Sequence, residues 1–151
     1  MNDPRFDQLA KNLVGFSISL RKGDRLLIDA FDIPDAMVIA LVRAARAVGA
    51  LPFVHVHHMR ITREIAREAQ ESALDLSSRL QLAEMKSMQA YIALRGGDNA
   101  LEMSDVPVEK MKLISRKMKS VLDWRVQKTR WCVLRWPSSS MAQMAQMSTE
   151  A

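Results

Sequence analysis

Four short apolar runs, each bounded by turn residues and separated by segments with helical spacing, constrain this chain most. They occupy residues 25–31, 51–58, 89–95 and 130–136. Lys22-Gly23-Asp24 opens the first, Gly96-Gly97 closes the third and Pro137 stops the fourth. Such runs read as strands, and 25–31 reads as one buried on both faces. Asp3-Pro4 opens a first helix with apolar positions at Phe6, Leu9, Ala10, Leu13, Val14 and Phe16. Pro34-Asp35 restarts the helical period, and Gly49 stands where a C-cap glycine would. Residues 61–88 are helical in character with a break at 70–72, and 107–127 form a long helix. The alternation predicts an α/β fold: an open, mainly parallel sheet of about four strands with helices on both faces, Rossmann-like or flavodoxin-like.

A chain of 151 residues fits one domain, here 1–137, with 138–151 beginning a connection onward. Ser138, Ser139 and Ser140 cap a last helix whose Met141, Met144 and Met147 have nothing after them to cover them. The single Cys132, between Trp131 and Val133, excludes an intrachain disulfide and a cysteine-based zinc cluster and reads as a buried thiol. No apolar run is long enough to span a bilayer, and residues 1–12 lack a basic-then-apolar signal pattern. The expectation is a cytoplasmic domain with no membrane partner.

The candidates for chemistry are incomplete. His55 and His57 share one face of a strand and could share a metal, but only Glu64 and Glu68 follow nearby, so a structural or rim role is favoured. Asp29 and Asp32 at the end of the first strand could meet a ribose or a metal; capping of the next helix or surface exposure is the plainer reading. No glycine lies between Asp29 and Pro34, which argues against a dinucleotide site. The long helix region carries Lys110, Lys112, Arg116, Lys117, Lys119, Arg125, Lys128 and Arg130 against Glu109 and Asp123, and the net charge is +5. Without a recognition motif these read as a solvated face rather than a nucleic-acid surface. The serines after Pro137 lack a nucleophile elbow.

Three stretches carry a resemblance: Lys22 to Ile28; Arg95 to Asn99 with Ser104-Asp105-Val106-Pro107; and 135–151, with Arg135-Trp136-Pro137, Met141-Ala142-Gln143 and Ser148-Thr149-Glu150-Ala151. Together they resemble the N-terminal half of the thermophilic-type metalloaminopeptidases, the aminopeptidase T and aminopeptidase S group. The resemblance implies a dimeric exopeptidase that removes N-terminal residues from peptide substrates with two divalent metal ions, cobalt, zinc or magnesium. It also implies that the metal ligands belong to a separate C-terminal catalytic domain. None of their motifs lies in 1–151, so no catalytic or metal residue is assigned, and the chain alone is expected to be inactive. Its expected role is to wall the active-site cavity, with His57, Arg95 and Trp136 as the residues expected to face it. A stand-alone binding domain for a nucleotide or small anion is the alternative.

Overall fold

A computed structural model describes residues 3–148. The helices are α1 (Pro4–Asn12), continued by a π-turn (Leu13–Ser17), α2 (Asp35–Ala47), α3 (Met59–Arg67), α4 (Glu71–Lys86), α5 (Val108–Lys128) and α6 (Ser139–Met144). The strands are β1 (Arg25–Phe31), β2 (Leu51–His57), β3 (Ala90–Arg95) and β4 (Arg130–Arg135). They form one sheet in the order β2-β1-β3-β4, and every pairing is parallel. That order is the flavodoxin-like one, so the expected α/β class holds and its open choice of strand order is resolved.

Alternation along the central strands builds two cores. Leu26, Ile28, Ala90, Ile92 and Leu94 turn to one face, against Ala10, Val14, Met37 and Leu41 of the first two helices and the π-turn. Leu27, Tyr91 and Ala93 turn to the other, against Met85 of α4, Met88 and Val121 of α5. The split follows from topology. The chain moves one way from β1 to β2 and the opposite way from β2 across to β3 and β4. Crossovers of a single hand then fall on opposite faces.

The edges differ from the centre. Only the two central strands are buried on both faces; β4 alternates half-buried and exposed residues, leaving Trp131 and Val133 in solvent. Cys132, expected to be buried, is half-buried for this reason. Phe16, expected on the apolar face of the first helix, is 87% exposed. The wider π-turn rotates it off the stripe that Leu13 and Val14 occupy.

Two glycines are required by the path. Gly49 ends α2 at φ +82 and lies against Lys22, so the β1 and β2 starts can come together. A Cβ on Gly96 would stand 2.3 Å from the Asp32 carbonyl oxygen, and the Gly96 N–H donates to Phe31 O at 2.7 Å. The loops leaving β1 and β3 therefore cross in contact. At the other end of the sheet, Arg130 donates to Ile18 O and to Asp24, tying β4 to the entry of β1.

Candidate functional site

The last register row of the sheet sets His57, Phe31, Arg95 and Arg135 side by side, one from each strand. Registered residues of parallel strands share a face, so the four side chains form a line. His57 stacks on the Phe31 ring at 4.4 Å between centroids and 14° between planes. The Arg95 guanidinium lies over the same ring, 5.2 Å from its centroid. Arg135 comes next, a like charge beside Arg95.

This row borders a cleft of about 530 Å³ at the carboxyl ends of the strands. Phe31, Arg95 and Arg135 line it, with Arg60 from the first turn of α3, Trp136 after β4 and Met141 of α6. The cleft opens where the chain reverses its direction across the sheet, between β1 and β3, the place where open α/β sheets receive ligands. Arg95 and Trp136 line this cleft, whereas His57 does not and reaches it only through Phe31. Trp136 also packs edge-on against Phe6 at 5.3 Å, so part of its ring belongs to the core.

His57 turns to a buried carboxylate instead. Its Nε2 lies 2.9 Å from Asp29 Oδ1, while the Tyr91 hydroxyl donates to Asp29 Oδ2 at 2.6 Å. Asp29, expected to cap a helix or face solvent, is only 8% exposed. Burial pushes its carboxyl upward, but the hydrogen bonds from His57 and Tyr91 and the charge of Arg125 more than offset this and hold it below its ordinary value. The same burial, together with the Asp29 charge, drives the Tyr91 hydroxyl well above its ordinary range. Arg125 completes the cluster by lying over the Tyr91 ring at 4.0 Å.

Asp32 differs from expectation as well. The helix that follows it in sequence, α2, has Pro34 at its N-cap and no side-chain cap. Asp32 caps α3 instead: Oδ2 accepts from the Met59 N–H at 2.9 Å, and Oδ1 pairs with His58 at 3.2 Å. Its φ of +49 is a left-handed conformation that aspartate tolerates better than most residues. The Asp32 N–H donates to His57 O, so side chain and backbone both hold the β1 exit to the β2 exit.

The three histidines do not converge. His55 pairs with Glu84 of α4, His57 with Asp29 and His58 with Asp32. Sequence spacing missed all three pairings because the partners lie 29, 28 and 26 residues away along the chain. Among the described residues no three His, Cys, Asp or Glu side chains group so as to hold a metal ion. The described residues therefore do not fit a metal centre.

The basic helix α5 is tied inward along much of its length. Lys117 bridges Glu71 and Asp75 of α4 at 3.0 and 2.7 Å, and Lys110 donates to Ala69 O at 2.8 Å. The paired carboxylates raise the Lys117 ammonium above its ordinary value. No helix among the described residues is long and apolar enough to cross a membrane. Thr149, Glu150 and Ala151, the end of the motif run at 135–151, lie outside the described residues.

No curated protein matches the chain in sequence. Among solved structures it is similar to wild-type AmpT from Thermus thermophilus, with 21% identity and a TM-score of 0.68. The likeness covers 88% of this chain and 36% of that one, and at this identity it shows the fold alone. The chain thus spans about a third of the length of that relative. The family model described as thermophilic metalloprotease (M29) matches residues 2–151, essentially the whole sequence, and the chain belongs to that family.

Proposed function

We propose that this chain is the non-catalytic α/β domain of a metal-dependent aminopeptidase. In this role it walls the cavity through which a peptide reaches a metal centre held by a separate catalytic domain. The observation that carries the reading is a family match along all of 2–151 in a chain that reaches only 36% of the length of AmpT. His55, His57 and His58 are each held by a carboxylate of their own, Glu84, Asp29 and Asp32, whereas paired-metal hydrolysis draws several ligands around one open site. The metal would activate water and polarise the scissile carbonyl in the catalytic domain. The residues of this chain would shape access, with the Arg95 and Trp136 rim as the surface offered to the peptide. The assembled enzyme would be a cytoplasmic homodimer.

The test is hydrolysis of a leucine anilide by the purified 151-residue chain, with and without cobalt or zinc. The expected result is no turnover and no metal retained after desalting. Metal-dependent turnover that survives repurification and is lost in His57→Ala would overturn the proposal.

A further inference from the structure

We infer that the cleft at the carboxyl ends of the strands is an oxyanion-binding site, taking a carboxylate or phosphate group of a small ligand. Three arginines line it: Arg60, Arg95 and Arg135. Among the described residues none of the three is ion-paired. The carboxylates in the same lining are already engaged. Asp32 accepts from the Met59 N–H and pairs with His58, Glu102 accepts from Asn99, and Asp98 is likewise engaged.

Arg95 and Arg135 occupy registered positions on neighbouring parallel strands. Like charges directly opposite on one face oppose the pairing of their strands. An anion between them converts that repulsion into two charge-assisted contacts, for which the planar guanidinium is the best-shaped donor. The geometry limits the ligand further. Phe31 under Arg95 fixes one guanidinium, so less freedom is lost when an anion docks. Trp136, Met141 and Met144 add an apolar side to a wall that elsewhere carries polar and charged groups. A volume of about 530 Å³ falls in the range of small-molecule sites. This inference does not rest on the peptidase reading, because binding is read on the chain itself and not as turnover.

The experiment is calorimetric titration of the 151-residue chain at constant ionic strength with two probes. One is inorganic pyrophosphate; the other is an acetylated dipeptide, supplied as free acid and as amide. The expected result is saturable binding of at least one probe, weakened about tenfold or more in Arg135→Gln, which corresponds to one lost charge-assisted contact of about 1.4 kcal/mol. Arg43→Gln, on the exposed side of α2, is expected to bind as the parent does. Arg95→Gln gives an independent reading should Arg135→Gln not fold. Saturation by pyrophosphate alone assigns a phosphate; saturation by the free acid but not the amide assigns a carboxylate. The absence of saturable binding by either probe in the millimolar range overturns the site, as does binding that both arginine variants retain.

Discussion

Removing one oxygen atom from the second core tests its polar centre. Tyr91 is 1% exposed, and its hydroxyl donates at 2.6 Å to the carboxylate of Asp29, a residue itself 8% exposed. In Tyr91→Phe the ring stays against Leu27, Met85 and Val121, and no cavity larger than a hydroxyl forms. What is lost is a hydrogen bond to a charged, desolvated acceptor, worth about 2 kcal/mol. With a urea m-value of about 2 kcal/mol/M, the unfolding midpoint falls by about 1 M near neutral pH. The pH dependence follows from Asp29. Its folded carboxyl lies below the ordinary value of 3.8, so the stabilisation is fully present above that value. It disappears as pH falls through the lowered folded one. Removing the Tyr91 donor raises the folded value. The gap between parent and variant therefore narrows as acid protonates the carboxyl. A change under about 0.5 kcal/mol near neutrality, or a gap that does not narrow in acid, would refute the argument.

Three further outcomes are expected. Gly96→Ala places a Cβ 2.3 Å from Asp32 O and cannot be relieved by a side-chain rotation, so it costs about 3 kcal/mol in denaturant unfolding; unchanged stability would mean the two loops can part freely. Asp32→Ala loses the α3 cap and keeps a left-handed backbone, a cost of about 2 kcal/mol, whereas Asp32→Asn retains an acceptor and loses less than half of that; equal losses by urea unfolding would contradict this order. Arg63 grips Asp105 through two contacts at 2.8 and 2.6 Å and holds that carboxyl below its ordinary value. Asp105→Asn is therefore expected to speed proteolysis near the exposed Leu101 while leaving global unfolding almost unchanged.

The strands and most helices were legible because each is a periodic segment bounded by its own punctuation. The break at 70–72, for example, falls where Gln70 takes an extended conformation between α3 and α4. What sequence missed is non-local. Asp32 looked like the cap of α2 because Pro34 is near in sequence, but its partner Met59 is brought in by the β1–β2 pairing. His55 lacked a visible acid because Glu84 sits on α4, across the face of the sheet. The Arg95–Arg135 pair follows from register alone, which no local pattern encodes. Cys132 and Phe16 depart from expectation because apolar neighbours reveal neither which strand is an edge nor where a helix widens.

The placement of β1 at the centre of the sheet has a consequence for how the protein emerges during synthesis. Leu26 must pair with Pro52 on one side and with Ala90 on the other. Once β2 is complete at His57, the far edge of β1 waits until β3 is complete at Arg95. At ordinary elongation speeds that interval is roughly 2 to 8 seconds, far longer than strand pairing itself takes. Throughout it, Leu26, Leu27 and Ile28 present an open, apolar backbone edge to whatever else the cell contains. The chain is therefore most exposed to misassociation while α3, α4 and β3 are being made, so synonymous codon choice over residues 58–95 sets how long that exposure lasts.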